Sequence, residues 1–168
     1  SLEGFCPDEK AREFIDLVLQ VRPEVCAEIG VYGGASIFPV ASALKYLGKG
    51  TVIGVDPWDK AEVVKYFDSE TQKQDLQFWT DLNFEYIFQS YSSMLKRYRL
   101  KDFCITIKAT SSHALMCFQK IDILHIDGNL DEAIAAKDVE GYLPLVRPGG
   151  YIWMSQAKHP KRQKALVL

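Results

Sequence analysis

The residues able to do chemistry fall at the ends of apolar runs. Glu28 closes Val25-Cys26-Ala27-Glu28-Ile29, and Gly30, Gly33 and Gly34 follow within five positions, around Val31 and Tyr32. Asp56 ends Thr51-Val52-Ile53-Gly54-Val55, just before Pro57-Trp58. Ser111, Ser112 and His113 follow Phe103-Cys104-Ile105-Thr106-Ile107, and Asp127-Gly128-Asn129 follows Ile121-Asp122-Ile123-Leu124-His125-Ile126. A carboxylate in a glycine-rich turn after an apolar strand presents an anion and free helix amides to a ligand. Gly30 supplies a turn or a positive φ, and Gly33 and Gly34 permit close backbone approach.

The ligand class follows from charge. A dinucleotide fingerprint, G-x-G-x-x-G, would need glycine where Glu28 stands. A fixed carboxylate repels a pyrophosphate, and a low dielectric screens that poorly. This argues against a nicotinamide-dependent oxidoreductase. A phosphate-free ligand with a cation and hydroxyls, such as S-adenosylmethionine, suits Glu28 better. Asp56 is placed to accept the two hydroxyls of a ribose, or it is a turn aspartate before proline. Ser111 meets an adenine edge or caps a helix, and Trp58 packs on the adenine ring or on a lid. Core packing requires none of the carboxylates.

The elements that position these groups alternate. Pro7-Asp8-Glu9 starts a helix carrying Phe14, Ile15, Val18 and Leu19, which Arg22-Pro23 ends. Strands are expected at 25–29, 51–55, 103–107, 121–126 and 151–154, with Arg147-Pro148-Gly149-Gly150 as the turn before the last. Nearly unbroken apolar runs mark strands covered on both faces, and right-handed crossovers make them parallel. The expected fold is a doubly wound, mostly parallel α/β sheet in three layers, Rossmann-like, of order 3-2-1-4-5. Residues 1–168 read as one domain. Within it, 1–24 is an amino-terminal helical cap. Residues 59–101 are a lid or helical insertion, whose second part repeats aromatics at helical spacing (Phe84, Ile87, Phe88, Tyr91, Leu95).

Composition bounds the class. Of 168 residues, 48% are hydrophobic and 25% charged, and the net charge is -2, which gives no basic field for nucleic acid. The basic stretch 158–164 reads as a solvated end. Cys6, Cys26, Cys104 and Cys117 have no metal or redox spacing. With no signal peptide and no apolar span of membrane length, a cytoplasmic location and no membrane partner are expected.

Glu28-Ile29-Gly30-Val31-Tyr32-Gly33-Gly34 resembles the first motif of class I S-adenosylmethionine-dependent methyltransferases. The run 123–129, Asp138 and the stretch 143–152 are similar to the small-molecule O-methyltransferase branch that includes enzymes acting on sugars of macrolide antibiotics. The resemblance covers about 25–154. It implies a cofactor pocket of Glu28, Gly30, Gly33 and Asp56, with Asp127 near the methyl-transfer point, and Tyr32, Trp58 and Ser111 complete the expected cofactor-binding set. Asp127 and His113 are then the candidate bases, whereas His125 reads as a core histidine. The expected partner is a small-molecule acceptor, its hydroxyl the methylated group, and the expected assembly a homodimer. A complete sheet of this family carries two more strands, and the chain stops soon after the fifth. Two departures stand out: Leu130 replaces a frequent histidine, and Ser155-Gln156 replaces a carboxylate pair that helps hold a divalent cation. No catalytic metal is therefore expected. The same departures motivate a second reading, a catalytically inactive relative kept for binding or scaffolding.

Overall fold

The computed structural model describes residues 4, 6–67, 70–128 and 131–155, with the backbone alone at Glu132. Asn129, Leu130, Gln156 and the basic stretch 158–164 lie outside them.

Five parallel strands form one sheet: β1 (Val25–Ile29), β2 (Thr51–Asp56), β3 (Cys104–Lys108), β4 (Ile121–Ile126) and β5 (Val146–Met154), in the order β3-β2-β1-β4-β5. Alternating side chains make two cores. Cys26, Val52, Cys104 and Ile123 face α1 (Asp8–Val21), α2 (Ile37–Leu47) and α5 (Phe84–Arg97). Ala27, Ile29, Val55, Leu124 and Ile126 face α6 (Ser111–Ala114) and α7 (Glu132–Tyr142). Order and layering are those expected from the apolar runs.

The helices start and stop for local reasons. Asp8 and Glu9 lie in the first turn of α1, where the dipole favours acids. Arg22 ends α1 in the left-handed region, its N–H bonded to Val18 O, and Pro23 cannot continue it. Pro39 sits in the first turn of α2, where no amide is needed, and Gly48 closes that helix. In α5, Phe84, Ile87, Tyr91 and Leu95 form the buried stripe, each contributing about 2 kcal/mol of burial. Between β2 and α5 lie α3 (Lys60–Val64) and α4 (Lys73–Asp81), which bury no residue. Within 59–101, then, the buried core residues come from α5 and from Leu100 just after it, with Trp58 just before the segment. All four cysteines are free. Burial pushes the Cys104 thiol up to about 11, as befits a small core hydrophobe. Among the described residues no helix is long and apolar enough to cross a membrane.

The last strand corrects the expected turn. β5 begins at Val146, paired with Ile121, and pairing resumes at Tyr151 opposite Ile123. Residues 147–150 are thus a bulge inside the strand, with Gly149 at φ 73°. Arg147 explains why pairing starts early: its Nε donates to Asp122 Oδ1 on β4 at 2.5 Å. Asp122 Oδ2 accepts the Glu24 and Val25 amides at 2.8 and 2.9 Å, so one carboxylate joins three segments.

Burial alone would raise the Asp122 carboxyl. The Val25 N–H, the Arg147 guanidinium and the Glu24 N–H outweigh it and hold the group below the usual carboxylate range. A pKa lower in the folded than in the unfolded chain stabilises fully above the ordinary value. That contribution drains away as pH falls through the folded one. Asp122→Ala should therefore cost about 2 kcal/mol at neutral pH, from two orphaned amides and an unpaired guanidinium. Thermal melts should show the gap from the parent closing as the solution is acidified toward about pH 3.

Candidate active site

The strands end in a row of polar groups knitted by their backbones. Gly30 N donates to Val55 O (2.9 Å), Asp127 N to Ile29 O (2.7 Å) and Ser155 N to Ile126 O (3.0 Å). Carboxyl ends on either side of the first strand form the crevice where open α/β sheets hold ligands.

Glu28 is 1% exposed. The Ser36 hydroxyl donates to its Oε1 at 2.6 Å. Ser36 stands at the start of α2 but makes no side-chain cap there, so its hydroxyl serves the carboxylate and not the helix. His125 Nδ1 lies 3.3 Å from Glu28 Oε2, outside hydrogen-bonding geometry, and is a buried nitrogen without a bond.

Asp56 clamps the glycine turn. Its Oδ2 accepts the Val31 and Tyr32 amides (3.0 and 2.8 Å), and its Oδ1 accepts the Trp58 amide (2.8 Å). Burial pushes the carboxyl up, the three amides pull it back, and Glu28 raises it further; the net direction is upward. Two amides saturate Oδ2, whereas Oδ1 keeps one lone pair. That corrects the expectation of a carboxylate free to take both hydroxyls of a ribose, because the fold has already spent one oxygen on the turn.

Trp58 is also corrected. It is 3% exposed, stacks on Tyr91 (5.2 Å, 29°) and leans on Phe88 (4.9 Å). Its Nε1 donates to Tyr32 O at 2.7 Å. It underpins the turn from within the core and offers no open face to an adenine. Tyr32, at φ 51°, sets its ring edge-on to Trp79 of α4 (5.8 Å, 85°).

On β3 the helix cap is Thr110, which accepts the His113 amide, so Ser111 is free of that duty. The Ser111 carbonyl accepts the Tyr142 hydroxyl at 2.7 Å. His113 is exposed and its Nδ1 bonds Thr110 Oγ1 at 2.7 Å, with no described contact to Asp127.

Asp127, its side chain a quarter exposed, heads a different cluster. Its Oδ2 is 3.5 Å from Lys10 Nζ and 3.7 Å from His125 Nε2. Lys10 Nζ donates to Ser155 Oγ at 2.6 Å, and Ser155 Oγ is 2.8 Å from His125 Nε2. An ammonium only donates, so Ser155 Oγ accepts from Lys10 and keeps one hydrogen and one lone pair for its other partners, Nε2 among them. His125 is the buried histidine expected from sequence, bonded through Nε2 to Ser155 and lying beside Glu28 without a hydrogen bond among the described residues. Lys10 and Ser36 were not singled out from sequence, and Ser155 was noted only as standing where a carboxylate pair is frequent. A signal for Lys10 existed: Lys10, Phe14 and Val18 share one helical stripe, so a lysine stands on the buried face of α1.

Residues 27–155 match a family model described as a methyltransferase domain. The chain belongs to that methyltransferase family. No protein of curated function matches it. Solved structures share the fold of this chain at low identity. The O-methyltransferase from Bacillus cereus in complex with S-adenosylhomocysteine superposes with a TM-score of 0.67 at 18% identity, covering 99% of this chain and 70% of that one. The O-methyltransferase NovP gives 0.71 at 16%, covering 95% and 68%. The S-adenosylhomocysteine-bound Podospora anserina methyltransferase PaMTH1 gives 0.66 at 14%, covering 90% and 53%. The chain thus spans between about half and about 70% of these proteins' lengths.

A divalent cation at Asp127, which the branch resemblance implies, does not fit the described residues around it. The donors beside Asp127 are a hydroxyl and an imidazole, and an ammonium already sits among them. At an effective dielectric of about 20, an ammonium about 4 Å from a dication is repelled by about 8 kcal/mol. Among the described residues no three His, Cys, Asp or Glu side chains group as metal ligands.

Proposed function

We propose that the chain is an S-adenosylmethionine-dependent O-methyltransferase acting on a small-molecule hydroxyl. The observation that carries this reading is the pair of buried carboxylates, Glu28 and Asp56, at the ends of adjacent strands around the glycine turn. That lining repels phosphates and suits an ammonium and a ribose. It fits the cofactor by chemistry, and the solved relatives named above include two bound to S-adenosylhomocysteine.

The bound cofactor supplies an activated methyl on a sulfonium, which leaves as a neutral thioether once the acceptor oxygen has taken the methyl. The protein's work is alignment and dehydration. In this reading Glu28 receives the ammonium, and the uncapped start of α2 faces the cofactor carboxylate. Asp56 Oδ1 accepts one ribose hydroxyl. Asp127, the partly exposed carboxylate, takes the acceptor's proton as the oxygen lone pair forms the new bond. The helices α3 and α4 bury nothing, and α4 reaches Tyr32 through Trp79, which supports reading them as the lid. The net charge of -2 favours a small-molecule acceptor over nucleic acid, and four free cysteines favour a reducing, cytoplasmic compartment.

Calorimetry decides the cofactor. S-Adenosylhomocysteine should bind with a Kd of about 1–100 µM, which is about -8 to -5 kcal/mol, while NADH gives no heat. Heat from NADH and none from S-adenosylhomocysteine would overturn the assignment.

A further inference from the structure

We propose that Lys10 is the built-in cation of the methyl-transfer site, a positioning residue whose ammonium stands where a divalent metal would otherwise hold Asp127. The inference rests on the methyltransferase reading and deepens it. Its basis is the contact set. Lys10 lies on α1, 117 positions before Asp127 and 145 before Ser155 in the sequence, yet its Nζ is 3.5 Å from the Asp127 carboxylate and 2.6 Å from the Ser155 hydroxyl. Its side chain is 17% exposed, and its Nζ lies 5.5 Å from the centroid of the Phe14 ring, so the charge is held from three directions.

The geometry has a chemical use. An ammonium has three N–H groups. One goes to Ser155, one points to Asp127, and the third is available to an acceptor oxygen. A fixed positive charge there favours an oxygen that ionises as it reacts, as in a phenol or an enol, over an alcohol that does not. It also fixes the Asp127 carboxylate, which would otherwise swing into solvent. Ser155 passes the arrangement on to His125 and so to the neighbourhood of Glu28. Nothing in the packing of α1 calls for a lysine on its buried stripe.

Manganese(II) is the probe, read by electron paramagnetic resonance on the full chain with S-adenosylhomocysteine present. The parent should leave the ion free at millimolar concentration, and so should Lys10→Arg, which keeps the charge. Lys10→Glu places a second carboxylate beside Asp127 and should bind the ion at least about tenfold more tightly, because a hard cation needs several oxygen ligands. Adding Asp127→Asn to that variant should remove the gain. Micromolar binding by the parent, lost in Asp127→Asn, would overturn the proposal even if Lys10→Glu failed to fold. So would a folded Lys10→Glu that gains nothing. A general loss of packing at α1 would not convert a metal-repelling site into a metal-binding one. Calorimetry with S-adenosylhomocysteine on the parent judges the cofactor reading separately, so the two failures are told apart.

Discussion

Gly30→Ala should abolish S-adenosylhomocysteine binding and lower stability by about 4 kcal/mol, the sum of backbone strain and overpacking. Gly30 adopts φ 90°, which L side chains rarely tolerate. A Cβ there would come within 2.6 Å of Asp127 O and 2.7 Å of both Asp127 C and Gly128 Cα. All three are backbone atoms, so no side chain can swing away to relieve the clash. The end of β4 must move, taking Asp127 with it, and a shift of about 1 Å at a reacting centre costs on the order of a hundredfold in rate. Gly48→Ala is the control. It too has positive φ, 67°, but nothing lies within 4 Å of its Cβ, so about 1 kcal/mol is expected there. Melting curves for both variants, with calorimetry on each, make the comparison. If Gly30→Ala melts like Gly48→Ala and still binds, the close approach of the two loops does not exist in solution.

The second large effect belongs to Asp56. Asp56→Ala strips the acceptor from three amides, those of Val31, Tyr32 and Trp58. Each buried donor left unmade costs about 1–3 kcal/mol, so about 4 kcal/mol is a fair total. At about 2–4 °C per kcal/mol for a chain of this size, the melting point should fall by about 8–16 °C. Cofactor affinity should drop at least about a hundredfold, because the turn that shapes the site is no longer held. Asp56→Asn keeps both the shape and one oxygen, but turns its amide hydrogens onto N–H donors. It should fall between parent and alanine. An alanine variant that melts within about 2 °C of the parent and binds as tightly would remove Asp56 from both roles.

Much of the fold was written in local signals. The five apolar runs, the glycines after Glu28 and the turn residues between strands made the layering and strand order legible, most plainly for the buried strands β1, β2 and β4, whereas the edge strands β3 and β5 leave Ile105, Tyr151 and Ile152 exposed. Carboxylates at strand ends were legible for the same reason, since no core needs them. What the carboxylates touch was not. Asp56 looked free for a ligand because its three amide partners depend on how Tyr32 and Trp58 enter the left-handed region, which spacing does not encode. Trp58 looked like a site residue because its stacking partner, Tyr91, lies 33 positions away on α5. The bulge in β5 hid behind a proline and two glycines that read as a turn, while the Arg147–Asp122 pair that forces it spans 25 positions. Lys10 is the extreme case, a residue whose importance arises wholly from chain segments more than a hundred positions distant.

The clamp beneath the glycine turn has a thermodynamic corollary. Asp56 and Trp58 hold the turn from inside the protein, so the crevice should need little reordering to take a ligand. Filling it freezes few backbone torsions, and little of the contact energy is spent on ordering. Association should then not be limited by folding of the turn. Ligand-induced gains in melting temperature should track simple mass action, with no added cooperativity from a disordered turn becoming rigid.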